Sequence, residues 1–114
     1  MSTAEDMVRF GTALMDGKIL KPATLDTMWT PTGRAQFGNG EASTYGIGFG
    51  VLTIDGQKYI AHSGGQQGTS TDMSCIPGKC FAVPVFANDE DAEPFDVIRP
   101  IWDLYYMPRP HPNK

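Results

Sequence analysis

The densest run of residues able to do chemistry is Ala61-His62-Ser63-Gly64-Gly65-Gln66-Gln67-Gly68-Thr69-Ser70-Thr71. It combines an imidazole, two serine hydroxyls, two carboxamides and three glycines. A Ser-His nucleophile pair is the first chemistry this composition suggests, because an imidazole can take the proton of an attacking hydroxyl. Adjacent residues on a strand point to opposite faces, so His62 and Ser63 cannot bond to each other as a dyad. Attack by Ser70 or Ser63 with His62 acting across strands needs a third group to orient the histidine, and the run offers none. A lone histidine has no compulsory task, and a structural role competes with a functional one. Gly64 and Gly65 point elsewhere: two successive glycines on a strand leave backbone N–H groups open to a ligand, which is what an oxyanion hole requires.

The elements that must position this run can be read from the rest of the chain. At 114 residues there is room for one domain. With 40% apolar and 19% charged residues, the chain is neither a disordered tail nor a membrane protein. Nine Lys and Arg against thirteen Asp and Glu leave a net charge of −4 with no basic run, so a nucleic-acid footprint is absent. No apolar stretch approaches the roughly 20 residues that span a bilayer. MSTAEDMVRF lacks the pattern of a signal peptide.

Ser2-Thr3-Ala4-Glu5 reads as a capping box, and Met7, Phe10 and Leu14 recur at helical spacing up to Gly17, predicting a helix over 3–16. Pro22 suits the first turn of a second helix over 22–29, with Leu25, Met28 and Trp29 buried and Pro31 beyond its end. The glycine-rich stretch 32–44, with Gly33, Gly38 and Gly40, reads as a loop. Tyr45 to Val51 alternates with period two and predicts a strand over 45–53. A dinucleotide-binding glycine loop is excluded there, because Val51 stands where its third glycine belongs and no helix follows. Asp55-Gly56 marks a hairpin turn into a strand over 57–64. Strands over 69–76 and 80–87 flank a Pro77-Gly78 turn, Pro84 indicating an edge position or a bulge. A helix is expected over 94–106, bent or split at Pro100. The fold class is therefore α+β: an antiparallel sheet of about four strands flanked by N-terminal helices and a C-terminal helix. Residues 1–106 form the domain and 107–114 a proline-rich tail. Cys75 and Cys80 lack the spacing of a zinc site; a disulfide between them needs a register that makes them direct neighbours, and a buried apolar role is the alternative.

Three blocks, STAEDMVRFGTALMDGKILKPATLDTMW, YGIGFGV and IAHSGGQQGTSTDM, together resemble the C-terminal part of the serine β-lactamase family, in the branch of class C β-lactamases, D-alanyl-D-alanine carboxypeptidases and related esterases. The resemblance covers about the first ninety residues. It implies a β-lactamase/transpeptidase-like domain acting by acylation and deacylation of an amide or ester, with no cofactor and no metal. Of the family's three motifs, His62-Ser63-Gly64 matches the third, the Lys-Thr-Gly-like strand. By that match His62 stands for the residue facing the cleft, and Ser63 is its neighbour in the motif. Gly64 allows close approach, Gly65 donates its N–H to the oxyanion, and Gln66 and Gln67 fall beside the substrate.

The other two motifs are not in the chain: no serine has lysine three residues on, and no tyrosine has asparagine two residues on. In the family both lie N-terminal to the block that begins STAEDM, so the chain is expected to be the back portion of a hydrolase, inactive alone. Its partners would be a small amide or ester once completed, and an N-terminal complementing segment or further copies of itself. Gln57 to Gly65 is then expected to be an accessible edge. The alternative is a non-catalytic module whose 62–68 edge docks a carboxylate or a partner strand.

Overall fold

In a computed structural model, which describes residues 1–36, 42–54, 56–79 and 81–105, the first helix, α1 (Ala4–Met15), is capped by Thr3, whose hydroxyl accepts the Asp6 N–H at 3.1 Å. The cap therefore stands one residue later than the expected capping box. Glu5 and Asp6 in the first turn complement the helix dipole. Gly17 follows the end of α1 with φ +71°, a conformation that suits glycine. Helix α2 (Pro22–Met28) opens on its proline as expected. Leu14 of α1, with Leu25 and Trp29 at α2, is buried against Val51 and Ile60 of the sheet.

Among the described residues the sheet has six strands in chain order, each antiparallel to the next: β1 (Gly33–Gln36), β2 (Ala42–Tyr45), β3 (Gly50–Ile54), β4 (Gln57–Gln66), β5 (Thr69–Cys75) and β6 (Ala82–Ala87). Two of these, β1 and β2, lie where a loop over 32–44 is expected; Gly38 and Gly40 fall outside the described residues. The polar composition of this stretch hides the strands, because their order comes from pairing with each other and with β3 rather than from an apolar face.

The expected strand over 45–53 is interrupted. β2 ends at Tyr45, which pairs with Gly50, and Gly46–Phe49 forms a tight loop between them. The Gly46 N–H donates to the Phe49 carbonyl at 2.9 Å, and the Ile47 N–H donates to the Met28 carbonyl at 2.8 Å. A Cβ on Gly46 would collide with that same Met28 carbonyl oxygen. The alternating glycines thus serve a turn packed on the end of α2, not one bare face of a strand.

Alternation divides the sheet into two covered faces. Toward α1 and α2 point Val51, Ile60, Met73 and Cys75; a Cβ on Gly11 of α1 would lie 2.5 Å from Ala82 Cβ and 3.3 Å from Cys75 Sγ. The other face carries Leu52, Ile54, Tyr59, Ala61, Ile76 and Val83 beneath α3 (Pro94–Tyr105), with Ile98 and Trp102 fully buried. Trp102 stacks on Tyr59 with ring centroids 4.1 Å apart, and Phe95 meets Trp102 edge-on at 5.7 Å. Helix α3 runs through Pro100 without being split there. Pro100 is on the exposed side, and burial of Ile98 and Trp102, at about 1.5–3 kcal/mol per large side chain, offsets a proline cost of about 3 kcal/mol.

Cys75 pairs with Ala82, so the register a disulfide needed is not formed; Cys75 is a buried free thiol, pushed up to about 12 by burial and by the charge of Asp72. Cys80, Asp55, Tyr106 and the 107–114 tail lie outside the described residues. Pro84 sits in β6, an edge strand as anticipated. Among the described residues no helix is long and apolar enough to cross a membrane.

The close approach at Gly46 sets an expectation for stability. Gly46→Ala should cost about 1–3 kcal/mol in urea unfolding, the range for overpacking. Gly33→Ala, whose new Cβ meets nothing within 4 Å, should stay within about 0.5 kcal/mol. Equal effects at the two positions would contradict the packing of the loop on α2.

Candidate functional site

Strand β4 carries the site, and its hydrogen-bond directions follow from its two turns. Ile54 pairs with Gln57, and Gln66 with Thr69, leaving two residues between partners in each case. Partners so close to a turn can only be the kind that exchange both hydrogen bonds, and such pairs then alternate along each ladder. Counting from the first turn, Gln57, Tyr59 and Ala61 direct their backbone groups to β3; counting from the second, Gln66, Gly64, His62 and Ile60 direct theirs to β5. The two counts agree. Pairing with β3 stops at Ala61, opposite Gly50, while pairing with β5 continues to Gln66. The N–H and C=O of Ser63 and Gly65 therefore face an edge that no strand covers among the described residues. Among the described residues only Ile60 and Ala61 are paired on both sides; 57–59 pair with β3 alone and 62–66 with β5 alone, so of the expected 57–65 edge the side toward β3 is open only from residue 62 onward.

The side chains of this edge divide between the two faces of the sheet. His62 lies on the α1 side, its ring 6.3 Å from that of Tyr45 in an edge arrangement, beside a hollow of about 360 Å³ bordered by Met7, Phe49, Met73 and Phe86. Ser63 lies on the α3 side and lines a larger cavity of about 600 Å³. The two are adjacent in the strand and on opposite faces, so they form no dyad. Gly64 packs closely on Thr71, whose hydroxyl donates to the Gly64 carbonyl at 3.1 Å; a Cβ on Gly64 would stand 3.0 Å from Thr71 Oγ1. Gly65 has room, with Thr69 O 3.8 Å from a Cβ. Gln66 and Gln67 are exposed at the hairpin end, where Gly68 adopts φ +77°.

The larger cavity is acidic. Ala61, Ser63, Ser70 and Asp72 line its sheet side, and Glu90, Glu93 and Asp96 line the wall that leads into α3, with Phe95 as an apolar part of that wall. Among the described residues no lysine or arginine lines it. An anionic group entering here meets like charge. Asp72, directly opposite Ser63 in the register, is raised above its ordinary value near 3.8 mainly by burial, against the lowering effects of a 2.8 Å hydrogen bond from Ser74 and of nearby His62. Sequence reasoning passes over Asp72, although reading Gln67-Gly68 as a two-residue turn would place it opposite Ser63. Glu90, whose carboxylate accepts the Gly68 N–H at 2.9 Å, has no local signal at all, being 22 residues away. Among the described residues no group of three or more His, Cys, Asp or Glu could hold a metal ion.

Comparison with known proteins adds two findings. The family model described as Beta-lactamase matches residues 1–106, so the likeness extends through α3 and beyond the first ninety residues. Among solved structures, the crystal structure of penicillin binding protein from Bacillus halodurans matches with a TM-score of 0.72 and 26% identity, over 90% of this chain and 31% of that one. The chain thus spans about a third of the length of that relative. No curated protein matches.

The burial of Asp72 has a pH consequence whose sign is fixed. Because the folded chain raises its pKa, Asp72 is least costly below its ordinary value, where it is neutral in both states, and that advantage is lost as pH rises through the raised value. Asp72→Asn stays neutral and keeps an oxygen for the Ser74 hydroxyl. Its stability relative to the unmodified chain should therefore rise between about pH 4 and pH 7. Urea midpoints at both ends test this, and a difference that stays constant with pH counts against it.

Proposed function

This chain belongs to the β-lactamase family, and on that premise we propose that it is the C-terminal, oxyanion-side portion of a serine hydrolase in the class C β-lactamase, D-alanyl-D-alanine carboxypeptidase and esterase branch. In this reading residues 1–106 are the family portion and 107–114 a tail. The observation that carries it is the open edge of β4, where the Gly65 N–H has no strand partner among the described residues.

The chemistry follows from that edge. A serine hydroxyl supplied by a Ser-x-x-Lys segment adds to the carbonyl carbon of an amide or ester, its proton passing to a base supplied with it. The carbonyl oxygen becomes an oxyanion and accepts the Gly65 N–H in the plane of the sheet. Collapse expels the amine or alcohol, which takes up a proton, and water then cleaves the acyl-enzyme. His62 contacts the substrate from the α1 face and Ser63 from the α3 face, while Gln66 and Gln67 border it at the hairpin end. The chain has neither Ser-x-x-Lys nor Tyr-x-Asn, so a donor N–H has nothing beside it to stabilise until a nucleophile is brought within attacking distance. The same edge can receive the segment that carries those motifs.

Incubated with a β-lactam or an activated ester, the chain should show no covalent adduct by mass spectrometry, and turnover should appear when an N-terminal portion bearing both motifs is added. In that assembly Gly65→Pro should lower the rate about a hundredfold or more. The Gly65 N–H makes no ladder bond, so the hairpin survives this change. Gly65→Ala keeps the donor and should cost far less, as should Ser63→Ala. An adduct on any serine of the chain itself overturns the reading, and binding of the added portion without turnover favours the non-catalytic docking module.

A further inference from the structure

The tip of the β4–β5 hairpin is fastened across the acidic cavity by one contact, the Gly68 N–H donating to Glu90 Oε2 at 2.9 Å. Nothing in the hairpin itself requires it. Gly68 is the second residue of a two-residue turn, and the N–H at that position is left outside the ladder. Glu90 is held in its own turn, where the Asp91 N–H donates to Asp89 Oδ1 at 3.0 Å and the Ala92 N–H to the Asp89 carbonyl at 3.4 Å. That turn leads directly into α3, anchored by Phe95 and Trp102 on the sheet. The contact therefore ties the hairpin tip to a helix whose Ile98 and Trp102 are fully buried.

Among the described residues the charges around Glu90 are all of its own sign: Asp72 lines the cavity from β5, Glu93 and Asp96 share its wall, and Asp89 and Asp91 flank it. Strand β4 brings Ala61, Ser63, Gly64 and Gly65 to the cavity and no charge. The polarised Gly68 N–H is a favourable partner in these surroundings, and hydrogen bonds to an ionised acceptor are the stronger kind.

We infer that Glu90 is a positioning residue: by holding the Gly68 N–H it fixes the hairpin tip over the cavity and so the direction of the Gly65 N–H at the open edge. Its consequence for catalysis rests on the acyl-transfer reading above, whereas the latch itself is measurable in the chain alone. In an isotope-labelled sample the Gly68 amide shift should titrate with a carboxyl group. Glu90→Gln should abolish that titration, and Glu93→Gln, which removes another carboxylate of the same cavity, should leave it. Glu90→Ala should speed Gly68 amide exchange roughly tenfold and lower the backbone order parameter at Gly65. Glu90→Gln, which keeps an accepting oxygen, should restore part of both. A Gly68 shift that does not titrate, or titrates unchanged in Glu90→Gln, overturns the latch. An unaltered order parameter at Gly65 in Glu90→Ala overturns its link to the edge. The adduct and complementation experiments test acyl transfer separately, so either idea can fail without the other.

Discussion

A mismatch in length governs this structure: β4 has ten residues, and β3 beside it has five. The ladder between them begins at a turn and ends at Ala61, so the second half of β4 keeps its partner on one side and loses it on the other. Hydrogen-bond direction alternates by residue, which turns a difference in length into a chemical pattern. Two successive outward-directed residues, Ser63 and Gly65, are left with no strand partner on that side among the described residues, and the glycine between them adds no side chain. Position, donor direction and access all follow from where one strand stops.

The rest of the fold holds that edge in place. Helices α1 and α2 cover one face of the sheet through Leu14, Leu25 and Trp29, and α3 covers the other through Ile98 and Trp102. The Tyr59–Trp102 stack lies beneath the half of β4 that pairs with β3, so the half that pairs with β5 alone projects from a packed base rather than from a loop. Sites built on such elements are held more closely than sites built on loops. The cavity beside Ser63 inherits its shape from the same arrangement, since its outer wall is the chain entering α3.

Much of this was legible in the sequence, for identifiable reasons. The three helices announced themselves through apolar spacing, Pro22 and Gly17, and the last three strands through the turns at Asp55-Gly56 and Pro77-Gly78. Pro84 correctly marked an edge. The stretch 33–45 was illegible as strand because β1 and β2 owe their order to partners rather than to an apolar face. Tyr45–Val51 misled because glycine at alternate positions satisfies a strand and a tight loop equally, and only the Met28 carbonyl, eighteen residues before Gly46, decides between them. His62, Ser63, Gly64 and Gly65 were brought to notice by composition alone, but which N–H groups point outward needed the register. Asp72 and Glu90 belong to the site's surroundings through pairings that no local pattern reports.

The order of the strands also has a bearing on how the molecule comes together. Every strand lies beside its neighbour in the chain, so the sheet can assemble as a series of short hairpin closures, each on the order of microseconds, with no strand waiting for a distant one. The contact of Gly11 with Ala82 is of another kind, joining regions near opposite ends of the chain and tolerating no added methyl group. Closing so long a loop carries a larger entropy cost. The folding barrier should accordingly be set by the docking of α1 on a sheet already formed, and not by the sheet itself.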